Sequence, residues 1–271
     1  MSLPPVNPYR PVPPPAADPS GPGSGLSFGV PAATVAAGRG ASWIGEGWAL
    51  FRAAPLLWVV AMLVVWGIQI GLGLIPLAGA LLGLLLGPVF MVGVLAFAHG
   101  IACGEEADIG KLFVGLQNKL GELVALAALY FVLLLAVVVI GTLLAMVLLG
   151  GAGLLGAAGP EQAMEMVVAS GGLLAILVVL LVVVTLMLLL AAAYWYAPGL
   201  VYFADVGAVA ALQQSFSACM RNWLPFLVYS LLGFAVMLLG AAVLGIGLLV
   251  ALPVLMASYY ASFRDLFGRE G

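Results

Sequence analysis

Charged positions divide this chain into long apolar intervals. Residues 53–104 carry no charged side chain, a run of 52. As a helix that run would be roughly 78 Å long, whereas the hydrocarbon core of a bilayer is about 30 Å thick. It therefore folds back once, and the glycines and proline of residues 71–76 (GLGLIP) supply the breakers. The pattern predicts helices over residues 55–74 and 77–100. Residues 123–160 and 166–204 are also free of charge. Each is expected to hold one helix, the first ending near the glycines at 150–156 and the second beginning after Gly171 and Gly172. Residues 222–263 form a fourth charge-free interval of 42 residues, roughly 63 Å as helix, and split near residues 240–247. The expectation is six membrane spans.

The polar approaches to these spans resemble one another. Residues 43–55 read WIGEGWALFRAAP, residues 108–120 DIGKLFVGLQNKL, and residues 205–225 DVGAVAALQQSFSACMRNWLP. Helical spacing groups Trp43, Trp48 and Phe51 in the first, Leu112, Phe113, Leu116 and Leu120 in the second, and Leu212, Phe216, Met220 and Trp223 in the third. Such segments are expected to lie as amphipathic helices at the interface, with aromatic rings at headgroup depth. Each precedes a hairpin whose second helix holds a proline: Pro88, Pro198 and Pro253. Asp108–Ile109–Gly110 and Asp205–Val206–Gly207 follow the first two hairpins. The predicted fold is thus an all-α polytopic membrane protein, built as three parallel hairpin repeats related about the membrane normal.

Three further segments complete the organisation. Residues 4–22 hold nine prolines, so residues 1–40 are expected to be a disordered, extended cytoplasmic tail ahead of a transmembrane domain at 41–267. Residues 160–169 (PEQAMEMVVA) predict a short amphipathic helix on the outer side. Gly79, Gly83 and Gly87 lie four apart, as do Gly67 and Gly71, and are expected to let neighbouring helices of the same chain pack closely.

Composition narrows the function classes. Apolar residues make up 65% of the chain and charged residues 7%, against about 25% charged in soluble domains, which excludes a soluble globular enzyme. A mean hydropathy of +1.26 agrees. The net charge of -3 offers no footprint for nucleic acid. With six spans, all eight basic residues (Arg10, Arg39, Arg52, Lys111, Lys119, Arg221, Arg264 and Arg269) fall on one side, which the positive-inside rule makes cytoplasmic. Five spans would put Arg264 and Arg269 on the other side. The expected location is a bacterial inner membrane, with both termini cytoplasmic and insertion driven by internal helices.

The segments GWALFRAAPLLWV, GPVFMVGVLAFAHGIACGE, APGLVYF and SFSACMRNWLPFLVY resemble uncharacterised proteobacterial multi-pass inner-membrane proteins of unknown function. More distantly, the chain resembles the membrane domain attached to some glycerophosphodiester phosphodiesterases. The resemblance spans residues 38–267. It implies a fold and a compartment, and transfers no catalytic residue.

Candidate chemistry is sparse. Residues 151–156 match GxGxxG, yet they end an apolar helix rather than open one after a strand, so a helix terminator is expected there. His99 and Cys103 lie four apart, and Cys219 occupies another loop on the same side. Buried cysteines are commonly inert, and no metal or other cofactor is expected. No charge lies in mid-span, which argues against charge-coupled transport and acid–base catalysis. The polar groups within spans are Gln69, Thr142, Thr185, Tyr194 and Ser230; Gln69 and Tyr194 are the candidates for lining a cavity. Arg52 and Arg221, with Trp48 and Trp223, are placed for lipid headgroups, and Glu46 is grouped with Arg52 at that level. The reading is a non-enzymatic, membrane-organising or accessory protein that contacts lipid and a membrane-protein partner or second copy. The alternative is a carrier or channel for an uncharged or apolar solute or lipid. A cavity at Gln69 or Tyr194 would favour the alternative, and a solid glycine-packed bundle the first reading.

Overall fold

The computed structural model describes residues 26–76, 78–149, 159–162, 165, 172–242 and 245–270. A short strand, β1 (Leu26–Phe28), is followed by helices α1 (Arg39–Ala53), α2 (Pro55–Gly73) and α3 (Ala78–Ala102). A 3-10 turn (Ile109–Phe113) and the single turn α4 (Val114–Gln117) lead into α5 (Leu120–Leu148). Then come α6 (Leu173–Trp195), α7 (Ala197–Phe203), α8 (Ala208–Arg221), α9 (Trp223–Ala242), α10 (Leu248–Phe267) and a strand β2 (Gly268–Glu270). Pro55 sits in the first turn of α2, where its missing N–H would have had no partner in any case. Gly245, at a φ of 76°, makes the sharp turn between α9 and α10.

Among the described residues, five helical segments are long and apolar enough to cross a membrane: Pro55–Gly73, Ala78–Ala102, Leu120–Leu148, Leu173–Phe203 and Trp223–Ala242. Helix α10 is 20 residues long but polar in its second half, with Ser258, Ser262, Arg264 and Asp265, and is not among the five.

Side-chain contacts fix the direction of each helix. Trp58, at the start of α2, meets Phe97 near the end of α3, with ring centroids 5.0 Å apart. His99 of α3 lies 2.8 Å from the hydroxyl of Tyr260, in the second half of α10. Lys119, just before α5, donates to the Val201 carbonyl of α7, and Trp43 of α1 packs near Phe226 at the start of α9. The starts of α2, α5 and α9 therefore lie together with the ends of α3, α7 and α10, at the charged end of the molecule.

The core sits in the half of the molecule nearest that end. Trp43, Trp58, Phe97, Tyr196, Tyr260, Phe263 and Phe267 are all fully buried there. Half of the most apolar stretch of α3 is buried, against 22% for α5 and 6% for Leu173–Phe203. Helix α3 is thus central, whereas α5 and α6 present most of their Leu and Val side chains outward, as helices dissolved in lipid do.

Several expectations are corrected. Residues 26–40, expected within a disordered tail, are ordered: β1 pairs antiparallel with β2, Leu26 opposite Glu270. Phe28 then packs on Phe203 and Phe263, at 5.1 Å each, and on His99. Asn222 clamps the strap that follows, accepting from the Val35 N–H at 2.9 Å and donating to the Ala33 carbonyl at 3.0 Å. These contacts, which the Pro-rich composition of the preceding residues does not reveal, order residues 26–40. Of the three expected amphipathic helices, α1 and α8 form, but the middle segment is only a 3-10 turn and one helical turn. The matching Asp-x-Gly segments also differ. Asp108 accepts from the Gly110 N–H at 2.8 Å, while Asp205 adopts a left-handed backbone and pairs with Lys119.

Most of the glycines expected to let neighbouring helices pack closely do not do so. Gly67, Gly71 and Gly87 face open space, and only Gly79 approaches closely, against the Leu72 carbonyl. Close approaches occur on α1, where Gly40 meets the backbone of Pro225 and Tyr229, and Gly47 meets Ser258 and the Val254 carbonyl; Gly93 of α3 meets the Leu112 backbone, and Gly240 meets Gly247. The glycine-rich terminator at 151–156 and most of the helix expected at 160–169 lie outside the described residues.

Candidate functional site

Two cavities open between the apolar helices, one on each side of the α3–α10 pair. The larger, about 430 Å³, lies between α5 and α6 on one side and α9 and α10 on the other. Tyr130, Tyr194, Tyr229, Tyr259, Met237 and Leu255 form much of its wall. The smaller, about 220 Å³, is bordered by α2, α3 and α10 and includes Trp66, Gln69, Gly87 and Phe90. Met91 and Met256 line both cavities and stand between them. A volume above roughly 300 Å³ with mostly apolar walls and a few polar groups is the usual form of a small-molecule site. No Lys, Arg, Asp, Glu or His among the described residues belongs to either wall.

The geometry of the wall follows from a helix break. At the end of α6 the hydroxyl of Ser215, on α8, inserts into the ladder: it accepts from the Tyr196 N–H at 2.9 Å and donates to the Ala192 carbonyl at 2.8 Å. A side chain placed between an i and i-4 pair breaks a helix at that point, and Pro198 then opens α7. The Trp195 carbonyl accepts from the Tyr259 hydroxyl. The carbonyls of Ala192 and Trp195 at this broken span are thus partnered by hydroxyls, which leaves neither bare to coordinate an ion. Thr142 and Thr185 likewise bond to the preceding turn, at 2.9 and 2.7 Å.

The candidate residues divide as follows. Tyr194 lines the larger cavity and Gln69 the smaller. Trp48 and Trp223 are exposed, at 44% and 60%, as are Arg52 and Arg221. Trp43, expected at headgroup depth with Trp48, is instead fully buried and donates its ring N–H to Asp265 at 2.8 Å. Glu46 does not pair with Arg52. It bridges Arg39 at 2.8 Å and Arg264 at 3.0 Å, and Arg39 also holds Asp265 at 2.8 Å. The bond to Asp265 holds the Arg39 guanidinium above its already high pKa, so the group stays charged. This half-buried cluster fastens α1 to α10.

His99 and Cys103 are neighbours, with Sγ 3.6 Å from Nε2, but Cys219 is directed elsewhere, toward the Ala192 carbonyl at 3.5 Å. Burial pushes the Cys219 thiol up to about 12. Among the described residues no group of three or more His, Cys, Asp or Glu gathers as metal ligands would. Sequence reasoning missed the tyrosine cluster of the larger cavity, because Tyr130, Tyr229 and Tyr259 come from three separate helices. Their shared aromatic character within apolar spans was the available signal.

Long apolar helices around a shared core, with polar groups gathered at one end, define an integral, polytopic α-helical membrane protein. Over 255 residues the chain is 31% identical to a probable inner membrane protein of Burkholderia thailandensis, across 86% of this chain and 93% of that one. The chain belongs to the family of that inner membrane protein. No family model matches it, and no solved structure matches it.

Proposed function

We propose that this is a six-span inner-membrane protein with both termini cytoplasmic, and that it holds an uncharged apolar molecule, a lipid or solute, without catalysing a reaction on it. The observation that carries the reading is the larger cavity. It is walled by apolar and aromatic side chains, lacks any charged group among the described residues, and lies midway along helices that are themselves apolar enough to cross a membrane. A molecule with formal charge would be desolvated there without a partner, whereas an apolar one loses nothing.

Helix α10 supports a sixth span because it runs beside α3 through the core and returns to the charged end. The alternation of α2/α3, α5/α6–α7 and α9/α10 supports three hairpins of like orientation. The gathering of basic residues at one end supports placing that end in the cytoplasm. Exposed Arg52, Arg221, Trp48 and Trp223 are proposed to touch lipid headgroups there.

An accessory role beside a second membrane protein or a second copy is the other reading, favoured by the barely buried face of α6. A photo-reactive acyl lipid distinguishes the two. Cross-links concentrated on Met91, Tyr194 and Leu255 support the cavity reading. Labelling spread evenly over the outward leucines of α5 and α6 removes it. A reporter fused after Gly271 tests the topology, and a periplasmic signal overturns it.

A further inference from the structure

The larger cavity holds four tyrosines, and they are not equivalent. The Tyr229 hydroxyl donates to the Leu255 carbonyl at 3.2 Å, and that of Tyr259 donates to the Trp195 carbonyl. The hydroxyls of Tyr130 and Tyr194 make no hydrogen bond to any described residue, although their rings lie only 4.2 Å apart. Across the Met91–Met256 wall, the Gln69 carboxamide in the smaller cavity is also without a hydrogen bond among the described residues.

Depth makes this informative. Tyr130 is ten residues into α5, which puts it about 15 Å from the charged end, near the middle of a hydrocarbon core about 30 Å thick. Tyr194 stands nine residues before the end of α7, at a similar depth. An unpaired hydroxyl is unfavourable in such surroundings, and water is scarce there. A phospholipid does not supply the missing partner, since its phosphate and ester groups stay at the interface and only its chains reach this level. A lipid with an uncharged head can sink its carbonyl or hydroxyl to mid-depth.

We infer that the cavity binds a long-chain lipid with an uncharged, hydrogen-bonding head, whose carbonyl or hydroxyl is held by Tyr130 and Tyr194. The chain lies along Met91, Met237, Leu255 and Met256. The absence of any cation from the described wall selects against phosphate-bearing lipids. The inference rests on the cavity reading proposed above and adds the chemistry of the head.

The test uses the purified full-length chain in detergent with three probes: a long-chain benzoquinone, a diacylglycerol and phosphatidylglycerol. The quinone is followed by quenching of tryptophan fluorescence, to which Trp195 in the cavity wall contributes, and the other two lipids are added as competitors. Saturable quenching is expected, relieved by diacylglycerol if ester carbonyls suffice and not relieved by it if the site takes quinones alone. Phosphatidylglycerol should not compete. The double variant Tyr130→Phe/Tyr194→Phe should bind about tenfold more weakly, as the loss of two hydrogen bonds predicts. The variant Ala191→Phe fills the cavity from an exposed position and should abolish binding. The single variant Tyr194→Phe, with an unchanged thermal midpoint, guards against a folding defect in the pair. Equal binding by the double variant, or equal competition by phosphatidylglycerol, overturns the inference. If Ala191→Phe still abolishes binding in that case, the apolar cavity reading stands. Absence of saturable binding by any probe overturns both.

Discussion

At the scale of single residues, polar groups in this protein fall into those with partners and those without. Ser215 and Tyr259 hydroxyls occupy the backbone groups freed where α6 gives way to α7. Asp265 accepts from both Arg39 and Trp43. Replacing it by alanine leaves the buried Trp43 indole N–H without its acceptor and the Arg39 guanidinium with Glu46 alone, at a cost of about 1–3 kcal/mol. The Asp265→Ala protein should therefore unfold at a lower temperature in detergent than wild type, and an unchanged midpoint would show that the cluster is not a fastening. The cysteines give a prediction of a different kind. Burial raises the Cys219 thiol to about 12, so at pH 8 roughly one part in ten thousand is thiolate, the reactive form. Cys103 is only half-buried. Maleimide at pH 8 should modify Cys103 in the folded protein and reach Cys219 only after denaturation; equal labelling in the folded state would contradict the burial of Cys219.

At the scale of elements, α1 makes close backbone contact with both α9 and α10. Gly47 faces Ser258 and the Val254 carbonyl so tightly that a Cβ has no room. In Gly47→Val the helix must lift from α10, with a destabilisation of about 1–3 kcal/mol, typical of overpacking. Increased protease sensitivity near residue 54, with the long helices still protected, is the expected readout. Resistance equal to wild type would mean that α1 has room to shift. The long helices were legible in the sequence because lipid excludes charge, and a run of 52 uncharged residues is the trace that exclusion leaves. The bounds 55–74 and 77–100 fall close to Pro55–Gly73 and Ala78–Ala102. Which glycines pack was not legible. Spacing shows that Gly79, Gly83 and Gly87 share a face, but not which neighbour that face meets. The ordering of residues 26–40 was hidden for a similar reason: it depends on Asn222, Phe203 and Phe263, which are remote in sequence.

For the molecule as a whole, the helices converge on a packed core at the charged end and part around α3 and α10 toward mid-depth, where the cavities open. Gln69 and Tyr194 stood out in the sequence as polar groups inside apolar runs. The walls around them did not, because a cavity is a property of where helices diverge. The chemistry that the sequence lacks, namely charge in mid-span, is matched by cavity walls without charge among the described residues. The most direct test of the central claim is a lipid inventory of protein purified gently from its membrane, by native mass spectrometry, for wild type and Ala191→Phe. An uncharged lipid should be retained near one per chain by wild type and lost from the variant. Only phospholipids, in bilayer proportions and equal in both proteins, would contradict the claim.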